Sequence, residues 1–398
     1  MSSLVIQGDT SGSITVEAPS VAGTHTLTLP KATGNIATDA TVGLGTKNLI
    51  INGDMRIAQR GTSVTGLTNG DSGYYTVDRW LFTEGGTSTA VFTQSQDTDV
   101  PSGQGFASSL KMACTTAHGS LAANDAIYIN QKFEGQNLQH LKYGTSSAES
   151  FTISFWVKSN KTGTYTVSFY NNDNARGNAK SYTIDTADTW EKKTITIDGD
   201  TVDGFDNDNL YSLNIYFVLC AGTDWTSGTF ANGTWEDYVK ANFFSSSQVN
   251  LADSTSNYWQ ITGVQLEVGE NATPFENRMY SQELAMCQRY YYQIDYSGSQ
   301  TFIGVGIWDS TTNGRVHVPF KTTMRATPTL NSSASSGNLA LAESGVALRA
   351  STSHTSLYAN EQSMLTRINV ASSGSTQGEG TLAYLNGAGA YISFDAEL

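Results

Sequence analysis

Charge is scarce in this sequence, and that scarcity narrows the field. Charged residues make up 15% of the 398 positions, against the ~25% usual for globular proteins. Lys and Arg number 22 against 36 Asp and Glu, for a formal charge of -14. No Lys/Arg run can follow a phosphate backbone, which argues against nucleic acid as a partner. The same sign argues against anionic membrane surfaces, and no stretch reaches the ~20 apolar residues of a membrane span, so membrane insertion is not expected. Residues Met1 to Thr10 lack a basic segment followed by an apolar one, so no secretory signal is read and folding in a cytoplasm is expected. Cysteine is equally thin. Cys114, Cys220 and Cys287 are odd in number, widely separated and flanked by apolar residues, which speaks against a disulfide framework or zinc site and predicts buried free thiols.

What is abundant is Gly, Ser, Thr and Asn, the chemistry of turns and neutral polar surfaces. The length predicts two or three domains. Residues 1–45 read as short β-prone pieces, Ser13 to Glu17 and Thr24 to Leu29, with too little apolar mass for a core of their own. From Asn48 to about Phe275 apolar residues alternate with polar ones, as in Ile127 to Gln131, Phe151 to Val157, Tyr165 to Tyr170, Thr194 to Ile197, Leu213 to Leu219 and Tyr258 to Leu266. Asn69-Gly70-Asp71, Lys161-Thr162-Gly163 and Asp198-Gly199-Asp200 punctuate them as turns. Many short strands without intervening helices predict an all-β sandwich of jelly-roll type over 46–278. The helix signal is Ser281 to Tyr291, with Leu284, Cys287 and Tyr291 on one face, expected to link to a distal β-sandwich within 279–398. Thr301 to Trp308, Val316 to Phe320, Arg367 to Val370 and Ala390 to Phe394 are its strands.

Three stretches carry recognisable motifs. The first is Gly8-Asp9-Thr10-Ser11-Gly12-Ser13-Ile14-Thr15 with Ala22-Gly23-Thr24 and Leu27-Thr28-Leu29-Pro30. The second is Asn48-Leu49-Ile50-Ile51-Asn52-Gly53-Asp54-Met55, followed by Gln59-Arg60-Gly61 and Asp78-Arg79-Trp80. The third runs Ile261-Thr262-Gly263-Val264-Gln265-Leu266-Glu267-Val268-Gly269, then Ala272-Thr273-Pro274-Phe275-Glu276, then Cys287-Gln288-Arg289-Tyr290-Tyr291. Together these stretches resemble phage and prophage tail fibres, and the resemblance implies a carbohydrate-binding-like jelly roll in a trimeric virion fibre, whose N-terminal shaft segment meets other tail or baseplate proteins and whose body attaches to a host-surface glycan or protein. It names no receptor, since residues 292–398 match only through Phe320, Met324-Arg325 and Pro328. The residues themselves also favour a homotrimer: a thin N-terminal segment, a helix rich in Tyr and Leu, and an apolar last strand make Leu284, Tyr291 and Phe394 the interface candidates.

Catalytic machinery is not visible. Asp and Glu sit mostly in turns such as Asp206-Asn207-Asp208, no repetitive β-helix carries paired carboxylates, and His118 and His140 have no nucleophile motif beside them, so no enzyme is expected. A structural calcium ion is the one metal that the jelly-roll analogy allows, at Asp54 and Glu267, against the plainer reading of hydrogen-bonded carboxylates; no metal residue or cofactor is assigned. Aromatic rings carry the remaining chemistry, since sugar C–H faces stack on them. Trp80, Trp156, Trp190 and Trp259 fall in or beside strand patterns and read as core. Trp225, Trp235 and Tyr238 lie in the polar segment from Ala221 to Ser247 and Trp308 stands beside a turn, so these four are the glycan-contact candidates. Loop packing is the competing role for the two segment tryptophans, because Thr234 to Asp237 also reads as a capped helical turn. The expected function is therefore attachment of a virion to its host, with a capsid decoration protein or a polysaccharide-degrading tailspike as the alternatives.

Overall fold

The computed structural model describes residues 3–7, 13–17, 47–333, 338–343, 348–371 and 374–398. Two compact units emerge, Met1–Thr46 and Lys47–Leu398. In the first, Ser3–Gln7 pairs antiparallel with Ser13–Glu17, in register from Ser3 opposite Glu17 to Gln7 opposite Ser13. The expected strand at Thr24 to Leu29 and much of the first motif lie outside the described residues.

Among its described residues, the second unit is all β save for short helical turns and one longer helix. Its first part is the expected sandwich. One sheet has seven strands, in spatial order Glu236–Asp237, Arg176–Ile184, Gly163–Asn171, Tyr211–Ala221, Ala126–Glu134, Leu81–Gly85 and Ser72–Tyr74. Its partner has six: Glu191–Ile197, Phe151–Ser159, Tyr258–Val268, Ser109–Thr116, Val91–Asp97 and Ser63–Leu67. Strand alternation decides which rings meet between them. Ile127, Ile129, Val167, Phe169, Ile215 and Phe217 of the first sheet face Phe151, Ile153, Phe155, Trp259 and Ile261 of the second, all buried in one core. Lys161-Thr162-Gly163 is a corner rather than a hairpin, because the strands it joins belong to different sheets. All three cysteines are buried free thiols, and burial raises the pKa of each, that of Cys114 to about 11.

After the sandwich comes the helix Tyr280–Gln288. It begins at Met279, with the Gln282 side chain accepting from the Met279 N–H (3.1 Å), and Tyr291 opens a strand instead of closing the helix. Beyond it, Tyr291–Asp295, Tyr391–Asp395 and Thr329–Ser332 form a three-stranded sheet. Six further strands, Thr301–Trp308, Asn313–Pro319, Ser363–Val370, Arg349–Ala359, Leu339–Ala342 and Gly380–Leu385, close into a barrel, which leaves no open sheet edge. This distal part has its own core, including Trp308, Met324, Ile368, Ile392 and Phe394. One core lies before the helix and one after it, and both belong to one compact unit, Lys47–Leu398.

The interface role given to Tyr291 and Phe394 does not survive their placement. Phe394 is fully buried between Tyr292 and Phe320, and Tyr291 lies beneath the Arg60 guanidinium, 3.5 Å from its ring centroid. Both rings are satisfied within their own chain. Leu284 is half-buried on the helix.

The second and third motif stretches meet where sandwich and distal part join, and their polar residues serve as mortar. The Asn52 side-chain amide donates to the Ile57 and Asp78 carbonyls (2.8 and 3.0 Å), while the Asn52 backbone carbonyl accepts from the Trp80 indole (3.0 Å). Glu276 accepts the Lys47 and Asn48 N–H groups, and Arg278 donates to the Ile50 carbonyl. Gly53 is required here because a Cβ would sit 2.1 Å from the Val264 carbonyl oxygen. Asn52, Met55 and Arg79 hold left-handed backbones (φ 60°, 60° and 71°), a local strain that the surrounding bonds sustain. Arg79, 1% exposed, pairs with Glu397, donates to the Lys132 carbonyl and lies 3.5 Å from the Tyr290 ring centroid. Arg289 and the Tyr290 hydroxyl both reach Glu134 (2.6 and 2.5 Å). The last residues of the chain are thereby tied to the sandwich.

Candidate functional site

The outer face of the seven-stranded sheet carries an aromatic cleft. On Ala126–Glu134, Gly163–Asn171 and Tyr211–Ala221, each residue that alternates with the core aliphatics points away from the core, and three of these are Tyr128, Tyr170 and Tyr216. The segment after Ala221 folds back across them, held by hydrogen bonds from the sheet itself. The Ser168 hydroxyl donates to the Phe243 carbonyl (2.7 Å), Thr166 Oγ1 accepts the Ser245 N–H (3.2 Å), and the Gln248 amide donates to the Val218 carbonyl (3.1 Å). This lays Phe243 against Tyr170, Tyr216 and Tyr238, and Phe244 against Trp225. The resulting cleft, of about 200 Å³, is lined by Tyr128, Tyr170, Tyr216, Trp225, Tyr238 and Phe243.

The rings meet mainly edge to face, as their quadrupoles favour: Tyr128 on Tyr216 with centroids 5.0 Å apart, and Tyr170 on Tyr238 at 5.0 Å. Trp225 instead stacks on Phe244 at 5.0 Å and 13°, with the Lys240 ammonium 4.6 Å from its centroid and paired to Asp224. Burial raises the pKa of Tyr128, Tyr216 and Tyr238, the last to about 12, so their hydroxyls stay protonated and neutral through the physiological range. The lining therefore offers apolar ring surface and phenol hydroxyls, with no ionised group.

Two of the four glycan-contact candidates, Trp225 and Tyr238, meet in this cleft. The other two do not. Trp235 is 9% exposed, edge-on to Tyr143 with its indole N–H on the Asp198 carbonyl (2.8 Å), so it packs the core, and the helical turn expected at Thr234 to Asp237 is replaced by the strand Glu236–Asp237. Trp308 is fully buried in the barrel and presents no face to a ligand. Of the four tryptophans read as core, Trp80 and Trp259 are fully buried, while Trp156, on the six-stranded sheet, and Trp190, just before its strand Glu191–Ile197, are half-buried. Tyr128, Tyr170 and Tyr216 were missed. Their signal was present as aromatic residues at the outward positions of alternating strands, but nothing local says that a later segment covers them.

Asp54 and Glu267 stand apart. Asp54 pairs with Arg56, and Glu267 accepts from the Thr273 N–H and hydroxyl and from the Gln265 amide. Among the described residues no group of three or more His, Cys, Asp or Glu side chains is placed to hold a metal ion. His118 lies between the Thr89 hydroxyl (3.0 Å) and Asp125 (3.1 Å). Asp125 also accepts the Thr87 and Ala122 N–H groups at 2.7 Å, so the cluster staples two loops. Burial alone would raise the Asp125 pKa, but these donors and the His118 ring outweigh it and hold it below the ordinary value.

No family model matches the chain, and no curated protein sequence does. Solved structures with partial likeness include the enzymatically active domain of bacteriophage CBA120 tailspike protein 4, at 14% identity and a TM-score of 0.28, covering 56% of this chain and 21% of that one. A putative sugar binding protein from Bacteroides thetaiotaomicron is similar at 13% identity and a TM-score of 0.30, over 56% of this chain and all of the other. A structure described as a family 4 carbohydrate-binding module is similar at 13% and 0.27, over 55% of this chain and 97% of its own. The chain thus spans about a fifth of the tailspike domain's length.

Proposed function

We propose that this chain is a non-enzymatic adhesive protein of a phage virion, a tail fibre whose jelly roll binds a neutral host-surface glycan in the aromatic cleft. The observation that carries this reading is the convergence of six rings from three strands and one covering segment. Such a lining suits the C–H faces of a pyranose, with phenol hydroxyls at hand for its own. A single cleft of this size binds weakly, so useful attachment calls for several copies acting together. A homotrimer is accordingly part of the proposal, with the N-terminal unit joining other tail proteins after assembly in the bacterial cytoplasm. Since Tyr291 and Phe394 are filled from within, its apolar contact is assigned to the barrel exterior, where Val305, Ile307 and Leu382 on two adjacent strands are 53%, 52% and 40% exposed.

Glycan-array binding followed by calorimetry on a selected neutral oligosaccharide tests the cleft. Trp225→Ala and Tyr238→Ala are each expected to weaken binding roughly tenfold, as loss of an aromatic stacking partner does, with the unfolding transition unchanged. Full affinity in both variants, or no neutral glycan bound, overturns the cleft. Sedimentation near three times 42.7 kDa tests the trimer, and time-dependent release of reducing ends from host polysaccharide would overturn the non-enzymatic part.

A further inference from the structure

The other face of the sandwich holds a second cavity, of about 460 Å³, on the outside of the six-stranded sheet. Its floor follows from register. Along Phe151–Ser159 the core takes Phe151, Ile153, Phe155 and Val157, so Trp156 projects outward, directly opposite Lys192 on one neighbouring strand and Thr262 on the other. A bulge after Thr262 then breaks the pairing until Gln265. At the bulge Gly263 is left-handed (φ 61°), and a Cβ there would come within 2.5 Å of the Phe106 ring, so only glycine lets that ring settle over the sheet. Phe106 meets Phe275 edge to face at 5.1 Å, and the two form the aromatic wall facing Trp156.

Two polar groups of the cavity, the Lys192 ammonium and the Trp156 indole N–H, are unspent. Other lysines on this sheet are neutralised: Lys193 by Asp185 and Glu191, Lys158 by Asp99 (2.7 Å), Lys111 by Asp97 (3.2 Å). Lys192 is exposed, and its ammonium makes no ion pair or hydrogen bond with any described residue; neither does the Trp156 indole N–H. No carboxylate lines the cavity, in a chain whose formal charge is -14. A cation and an indole donor beside an aromatic wall, with no acid to compete, suit a ligand that is both ring-shaped and anionic.

We propose that this cavity binds a carboxylate-bearing pyranose, such as a uronic or sialic acid residue, with its carboxylate on Lys192 and its C–H face on Trp156. The site is separate from the neutral cleft and does not depend on it. The test titrates the full-length protein by calorimetry with two probes, a galacturonic acid oligomer and N-acetylneuraminic acid, and with a neutral galactose oligomer as counterpart. Saturable binding of at least one acidic probe is expected, weakened by added salt and roughly tenfold by Lys192→Gln or Trp156→Ala. Trp225→Ala should leave it unchanged, so failure of one site is distinguishable from failure of the other. Lys192 is exposed, and its replacement leaves the core untouched. Binding of neither acidic probe, equal affinity for the neutral oligomer in this cavity, or parental affinity in the Lys192→Gln variant overturns the proposal.

Discussion

Glu84 offers a quantitative test of how the sandwich core is built. It stands on Leu81–Gly85, two residues after Phe82, and alternation turns its carboxyl inward, leaving the residue 1% exposed. Burial pushes its pKa from 4.5 to about 7; the Ser88 hydroxyl opposes the shift, and the Asp71 and Asp125 carboxylates add to it. A buried acid with a raised pKa favours the folded state while it is protonated. Its contribution is complete below about pH 4.5, where both states are neutral, and is lost as pH rises through about 7. At about 1.4 kcal/mol per tenfold in acidity, that gap amounts to about 3 to 4 kcal/mol, of which about 3 falls between pH 4.5 and 8. Glu84→Gln keeps the shape without the charge. Urea unfolding of parent and variant at pH 4.5, 6 and 8 should therefore show the variant gaining on the parent by about 3 kcal/mol between the first and last pH. If the two proteins keep the same pH dependence, the carboxyl is not protonated in the folded state and the reasoning fails.

Arg79→Ala should be among the most damaging substitutions, lowering stability by about 3 to 5 kcal/mol, because it empties a fully buried site, leaves the Glu397 carboxylate with Arg60 as its remaining guanidinium partner and uncovers the Tyr290 ring; thermal unfolding checks this, and a change within experimental error would contradict the junction described above. Cys114, Cys220 and Cys287 should resist alkylation in native protein and label fully in denaturant, read by intact mass, since burial withholds the thiolate in all three. Acid should loosen the Thr87 and Ala122 loops: Asp125 has a lowered folded pKa, so its contribution is present above the ordinary value of 3.8 and disappears as pH falls through the folded one. Amide exchange of the Thr87 and Ala122 N–H groups, slow at pH 6 after correction for intrinsic rates and faster near pH 2, is the measurement.

Much of this protein was legible in the chain because the signals were local. Period-2 alternation located the strands and, in Ile127 to Gln131 or Tyr165 to Tyr170, also determined which side chains enter the core, since a pleated strand allows only two faces. The cysteines' apolar neighbours sufficed to place the thiols. Other outcomes depended on partners distant in sequence. Trp235 and Trp225 share one polar segment, yet one is buried against Tyr143 and the other lines a cleft, because the segment's path is set by Ser168, Thr166 and Val218 on strands it had not yet met. Trp308 looked like a surface ring beside a turn until barrel closure enclosed it, and Phe394 looked like an interface residue until Tyr292 and Phe320 came to flank it. An apolar residue in a strand must be covered, and local pattern says so; whether its own chain or another molecule supplies the cover is decided by long-range packing.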